Sequence, residues 1–215
     1  MLTLVLGNKN YSSWSLRPYV ALRHVGVPFE EKVIALDMPT TAAEIGRYSP
    51  SGRVPVLIDG DVRIWDSLAI CEHLAERFPQ AHLWPGDSTA RTMARSVSAE
   101  MHSGFQALRE AMPMKIKETI QLPTVPETVR RDIERIQALW GDCRRRFGSG
   151  GPFLFGAFSV ADAMYAPVVS RFRTYGVKLD DAAAEYSAEI WKLPAMQDWL
   201  AAAQAESFRM ARYEK

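Results

Sequence analysis

Cysteine is scarce in this chain. Only Cys71 and Cys143 occur in 215 residues, far apart and outside any CxxC or metal-type spacing. That argues against a disulfide framework or a cysteine-built metal site, and it fits a reducing compartment. Excess charge is scarce too. Lys and Arg number 26 against 25 Asp and Glu, a formal net charge of +1. Nucleic acid or an anionic membrane as partner therefore has no global electrostatic support. The densest basic run, Arg144-Arg145-Arg146, reads as the solvated end of a helix. No long apolar run is present. Residues 2–6 are apolar but too few for a spanning helix or a signal peptide, and no basic leader precedes them. A cytoplasmic protein is expected. Repeats and low-complexity tracts are absent as well.

What is present is an ordinary globular balance, 47% apolar and 24% charged, in a length comfortable for two small domains. The first eighty residues alternate strand and helix signals. Residues 2–6 read as a buried strand and 15–25 as a helix with Ser15 as its N-cap and Gly26 as its stop. Residues 29–36 read as a strand and 39–48 as a weak helix. A hairpin over 54–58 and 62–65 turns on Asp59-Gly60-Asp61, and 67–78 reads as a helix. Two prolines and a glycine then mark a linker. The expected division is an α/β domain over 1–80, a linker over 81–87 and an all-helical domain over 88–215. In the latter, Met93, Val97, Met101, Phe105, Leu108, Met112 and Met114 suggest one long helix over about 88–117. Val129 to Phe147 carries another. Residues 159–175 are apolar nearly all round, the pattern of a buried central helix, and two shorter helices follow at 182–191 and 194–205.

Three local features carry the chemistry. Tyr11-Ser12-Ser13-Trp14-Ser15-Leu16-Arg17 joins the first strand to the first helix, at the sheet edge where α/β ligands bind. A helix start offers free N–H groups and partial positive charge, and a serine hydroxyl there can donate to a thiolate. The same serines serve equally well as caps and turn formers. Pro50-Ser-Gly-Arg-Val-Pro-Val-Leu57 places proline directly before a strand. A cis Val54–Pro55 bond, leaving the Val54 backbone to pair with an extended peptide-like ligand, would explain it; so would an edge strand with a trans proline. Trp65-Asp66-Ser67 opens a helix with a hydroxyl and a carboxylate, a site for adjacent carboxylate and ammonium groups or a plain N-cap.

Taken in this order and spacing, the serine loop, Val54-Pro55 and Asp66-Ser67 resemble the glutathione-binding domain of cytosolic glutathione transferases. Gly156-Ala-Phe-Ser-Val-Ala-Asp162, with a Ser159/Asp162 capping box, is similar to that family's buried helix start. The resemblance covers nearly the whole chain. It implies a thioredoxin-like α/β N-terminal domain followed by an all-α domain. Ser-Ser-x-Ser-x-Arg is most similar to the serine-type zeta class. By that match Ser12 takes the catalytic position, with Ser13 as its neighbour and rival. Trp14 stands where the zeta class has cysteine, a departure from the pattern of its maleylacetoacetate isomerases. The family match further implies Arg53, Val54, Pro55, Asp66 and Ser67 as glutathione contacts. It implies a second pocket between the domains for a small hydrophobic electrophile, with Tyr11, Trp14, Phe105, Met112 and Tyr165 as candidates; core packing is the alternative role for most of them.

The expected reaction is conjugation of the glutathione thiolate, as co-substrate, with no metal. The alternatives are a glutathione-dependent cis-trans isomerase or a non-enzymatic glutathione-binding protein. A free thiol of pKa ~8.5 is about 3% ionised at pH 7. Lowering it by ~2 units takes roughly 2.7 kcal/mol. One hydrogen bond to the charged form supplies ~1.5–3 kcal/mol and a helix start ~0.3–1 kcal/mol. The resemblance also implies a homodimer. The excess apolar residues between 93 and 114 suggest either the contact face or a helix packed only within its own chain, and Glu100 and His102 either reach the partner's site or lie on an exposed helix face.

Overall fold

The computed structural model describes residues 1–213 and, for Arg212, the backbone only. Strand β1 (Leu2–Gly7) leads through a tight loop into helix α1 (Ser13–Val25). Then follow β2 (Phe29–Ile34), α2 (Thr41–Gly46), β3 (Val56–Asp59), β4 (Val62–Trp65) and α3 (Ser67–Arg77). The sheet order is β2-β1-β3-β4, with β1 parallel to β2 and antiparallel to β3, and β3 antiparallel to β4. β1 is central, and Leu4, Val5 and Leu6 have no exposed surface. Among the described residues every later named element is helical: α4 (Ser88–Ser103), α5 (Gln106–Ala111), α6 (Glu127–Phe147), α7 (Val160–Thr174), α8 (Asp181–Lys192) and α9 (Pro194–Ala205), besides short 3-10 turns. The thioredoxin-like α/β domain followed by an all-helical domain is thus observed.

One apolar core runs through both domains, joining Leu4, Leu16 and Leu22 to Met101, Trp140, Val168 and Trp199. A smaller cluster of Val5, Ile34, Ile45 and Val56 fills the other face of the sheet. Helix α7 is the axis of the helical domain, and only Arg173 along it is not buried. Its start is fixed by the expected capping box. Asp162, fully buried, accepts the Ser159 N–H at 2.8 Å, the Ser159 hydroxyl at 2.9 Å and the Leu154 N–H at 3.1 Å. Burial pushes its carboxyl up to about 6 while those donors pull it down.

Three expectations need correction. Ser15 is not an N-cap. Helix α1 starts two residues earlier, because the Tyr11 and Ser12 N–H groups fold back onto the Asn8 carbonyl and bring the chain into helix by Ser13. The single helix over 88–117 is broken. Gly104 is extended and Phe105 adopts φ +59°, so α4 ends at Ser103 and α5 begins at Gln106. A Cβ at Gly104 would lie 2.8 Å from the Glu100 carbonyl oxygen, so glycine permits the break. Apolar periodicity hides it, because Met101, Phe105, Leu108 and Met112 stay buried across it. For the same reason the apolar excess marks no partner surface: Val97 to Met114 are packed in their own chain's core, with Met93 partly buried against it.

Candidate active site

The loop after β1 brings the serines to the sheet edge. Gly7 allows the close approach, since a Cβ there would lie 2.5 Å from Leu36 Cδ1 and 3.1 Å from Ser12 Oγ. The Gly7 N–H donates to Ser15 Oγ at 3.1 Å, and the Ser12 hydroxyl donates to the same oxygen at 2.8 Å. Ser13 Oγ instead accepts from Arg171 Nη2 at 3.1 Å. The loop is tied to distant chain. Glu206 accepts the Lys9 and Asn10 N–H groups at 2.8 and 3.3 Å, and Asn10 Oδ1 accepts the Lys117 N–H.

Val54–Pro55 is a cis peptide. Val54 precedes β3, and neither its N–H nor its carbonyl is bonded among the described residues. Across a cleft of about 520 Å³ lie Trp14, Ser51, Arg53, Pro55, Trp65, Asp66 and Ser67. Asp66 has φ +76° and caps α3, its Oδ1 accepting the Leu68 and Ala69 N–H groups at 2.8 and 3.3 Å. Its Oδ2 meets His102 Nε2 at 3.2 Å. Burial lowers the His102 pKa, Asp66 raises it less, and Arg17 and Arg109 lower it further, so at neutral pH the imidazole facing the Asp66 carboxylate is neutral. Within the chain His102 thus faces its own Asp66. Glu100 likewise holds its own chain's Arg135 at 2.8 and 3.0 Å.

A second cavity, about 250 Å³, adjoins the first and shares Trp14 and Val54 with it. Tyr11, Ser12, Ser13, Leu36, Arg109, Pro113, Met114, Arg171, Met210 and Tyr213 complete its wall. Of the five residues expected to line an electrophile pocket, Tyr11 and Trp14 do so. Phe105, Met112 and Tyr165 do not. All three are buried in the core, and the Tyr165 hydroxyl donates to the Val97 carbonyl at 3.2 Å. The break at Gly104 reorients the chain so that Arg109, rather than Phe105 or Met112, faces the cavity.

Sequence reasoning missed the arginines. Arg17, fully buried, donates Nη1 to Ser67 Oγ at 3.3 Å, while its Nε and Nη2 have no hydrogen-bond partner among the described residues. Its guanidinium stacks 4.3 Å from the Trp14 ring centre, and Arg109 lies 4.9 Å from the same ring. Arg171 had a visible signal, a cation inside the otherwise buried central helix. Arg109, Met210 and Tyr213 had none. Neither cysteine competes as nucleophile, since burial pushes both thiols up to about 12.

Comparison with known proteins decides the family. The model of the glutathione S-transferase N-terminal domain matches residues 11–77, and that of the C-terminal domain matches 126–202. The chain belongs to the glutathione S-transferase family. It is 25% identical over 203 residues to "Glutathione S-transferase Z2" of Arabidopsis thaliana, spanning 88% of this chain and 89% of that protein. It is 33% identical over 105 residues to "Probable maleylacetoacetate isomerase" of Caenorhabditis elegans, a match that spans 48% of each. The structure of a glutathione transferase homolog from Burkholderia, solved with bound glutathione, superposes with a TM-score of 0.69. It is 23% identical and covers 95% of this chain and 99% of that one.

Proposed function

We propose that this glutathione transferase binds glutathione along the larger cleft and delivers its thiolate into the smaller cavity, where it attacks a small electrophile. The observation that carries this reading is the convergence of two helix starts on one continuous hollow. The start of α1 brings Ser12 and Ser13, and the start of α3 brings Asp66 and Ser67. Val54 lies between them with an unpaired backbone. The glutamyl carboxylate meets Ser67, which Arg17 orients; the ammonium meets Asp66; the cysteinyl backbone pairs with Val54 beside Pro55; Arg53, exposed at the rim, meets the glycyl end. These assignments match each ligand group to the opposite donor or acceptor.

Ser12 donates to the thiolate. Its hydroxyl first turns away from Ser15. Ser15 Oγ, still accepting from Gly7 N–H, then donates its own proton back to Ser12 Oγ, which makes a relay of hydrogen bonds pointing at the sulfur. Ser13 is the rival, because Arg171 occupies an acceptor position on its oxygen and leaves its proton free. Conjugation forms the carbon–sulfur bond and expels the leaving group. The isomerase alternative uses the same thiolate to add to a double bond and then leave, consuming no glutathione. The protein works in the cytoplasm as a homodimer, a reading that rests on family membership alone.

Single substitution of the two serines tests the core of this. Ser12→Ala should cripple conjugation of a chloronitrobenzene and raise the thiol pKa of bound glutathione. A silent Ser12→Ala beside a crippling Ser13→Ala overturns the assignment. Turnover of maleylacetoacetate without loss of glutathione would select the isomerase. Sedimentation showing only a species near 24 kDa would end the dimer reading.

A further inference from the structure

The turn that delivers Ser12 is held mostly from outside its own domain. Asn8 opens the turn. Its carbonyl accepts the Tyr11 and Ser12 N–H groups at 3.2 and 2.8 Å, and its Oδ1 accepts the Leu36 N–H at 2.7 Å. The four backbone polar groups of Lys9 and Asn10 go instead to the helical domain and the chain after it. The Lys9 and Asn10 N–H groups donate to Glu206 Oε1 and Oε2 at 2.8 and 3.3 Å. The Lys9 carbonyl accepts from Trp199 Nε1 at 2.7 Å, and the Asn10 carbonyl accepts the Ile116 N–H at 3.2 Å. The Asn10 side chain completes the attachment, accepting the Lys117 N–H at 3.2 Å and donating to Glu118 Oε1 at 3.3 Å. The Lys9 ammonium pairs with Glu31 and lies 5.0 and 5.2 Å from the ring centres of Tyr19 and Trp199. Asn10 is 0% and Lys9 7% exposed, so water has little access to replace these partners.

Glu206 is the centre of this attachment. It ends α9, where its own N–H bonds the Ala202 and Ala203 carbonyls, so that helix fixes its backbone. Its carbonyl accepts Lys117 Nζ at 3.1 Å. Two successive N–H groups aimed the same way form a concavity for an anion, and a carboxylate with two oxygens fills it with charge-assisted bonds. Glu206 lines neither cavity. It acts on the chemistry only through the turn, whose Asn10 stands two residues before Ser12. The Ser12 hydroxyl must sit within hydrogen-bond reach of the sulfur to stabilise its charge. We propose that Glu206 is a positioning residue: by gripping the Lys9 and Asn10 N–H groups it fixes the turn from which Ser12 reaches the glutathione thiolate. The helical domain thereby sets the geometry of thiol activation in the α/β domain. A misplacement of about 1 Å caused far from the chemistry is enough to lose much of such an effect.

This inference rests on the glutathione transferase reading of Ser12, and its test separates the two. The thiol pKa of glutathione in its binary complex with the full chain is followed by the ultraviolet absorbance of the thiolate, which needs no electrophile. Removing a nearby carboxylate by itself favours a thiolate and lowers that pKa, whereas losing the Ser12 hydrogen bond raises it. Glu206→Ala should raise it, by about one unit. That costs about tenfold in kcat for a chloronitrobenzene below both pKa values and little above them. The KM for glutathione should change less than about twofold, because the glutamyl end is held at Asp66 and Ser67. Glu206→Gln keeps one acceptor oxygen and should fall between Glu206→Ala and the wild type. Lys117→Met is the control for a merely structural role. It breaks the contact to the Glu206 carbonyl, leaves the bonds to the turn, and should cost stability without moving the thiol pKa. A thiol pKa that stays or falls in Glu206→Ala overturns the proposal, and so does an equal rise in Lys117→Met. A wild type that ionises glutathione but conjugates nothing sinks the transferase reading, while a raised thiol pKa in Glu206→Ala still supports the positioning role. A wild type that conjugates, beside a Glu206→Ala of unmoved thiol pKa, does the reverse. Circular dichroism checks that each variant is folded, and if Glu206→Ala is not, Glu206→Gln takes its place in the same comparison.

Discussion

The two halves of the site are built differently. The larger cleft takes its walls from Trp14 of α1 and two short stretches, one over 51–55 just before β3 and one over 65–67 where β4 passes into α3. The smaller cavity joins the Tyr11–Trp14 loop, Leu36 and Val54 to residues drawn from α5, α7, the loop after α5 and the chain after α9. The first half is local geometry repeated by every chain with these turns. The second depends on helix packing that places Arg109, Arg171, Met114 and Tyr213 together.

That contrast can be broken at its support. Asp162 pins the start of α7, which carries Arg171. Asp162→Ala leaves the buried Leu154 and Ser159 N–H groups without an acceptor, at about 1–3 kcal/mol each. A loss of about 3–5 kcal/mol in unfolding free energy by urea titration is expected, and an unchanged midpoint would show that water or a rearranged cap replaces the carboxylate. The next effect sits where the halves meet. Ser12→Ala should lower kcat/KM about 10- to 150-fold, the equivalent of a ~1.5–3 kcal/mol hydrogen bond to a charged sulfur.

Ser67→Ala touches only the first half. It removes the proposed contact to the glutamyl carboxylate and, among the described residues, the one hydrogen-bond acceptor of Arg17. The KM for glutathione should rise about tenfold with a smaller change in kcat, the mark of lost ground-state binding; an equal fall in kcat would put Ser67 in the chemical step instead. The smallest effect concerns the bridge between the halves, His102 against Asp66. The folded His102 pKa lies below the usual 6.5, so the unfolded chain takes up the proton first as the pH falls. The stability His102 contributes is complete above about pH 6.5 and is lost below it. Thermal unfolding of His102→Gln between pH 7 and 5 should be flatter than that of the wild type. A steeper curve would reverse the sign.

Legibility followed range in the chain. Glycine, proline and cap signals located the β1–α1 loop, the β3–β4 hairpin and the α7 start, because each depends on residues a few positions apart. The cis bond at Val54–Pro55 was one of two readings the sequence left open. The α4–α5 break was invisible, because burial of Met101, Phe105, Leu108 and Met112 maintains helical spacing across a non-helical Phe105.

The sequence by itself determined the two-domain plan, the serine loop, the Asp66-Ser67 helix start and the capping box at Ser159 and Asp162. These are decided by backbone conformation and hydrogen bonding within a few residues. Only the tertiary structure decided that Phe105, Met112 and Tyr165 belong to the core, that His102 faces Asp66, and that Arg17, Arg109 and Arg171 share one buried pocket of positive charge. Electrostatic and packing neighbours far apart in the chain, such as Ser13 and Arg171 at 158 positions, leave no periodicity in the chain; they exist only once the helices are packed.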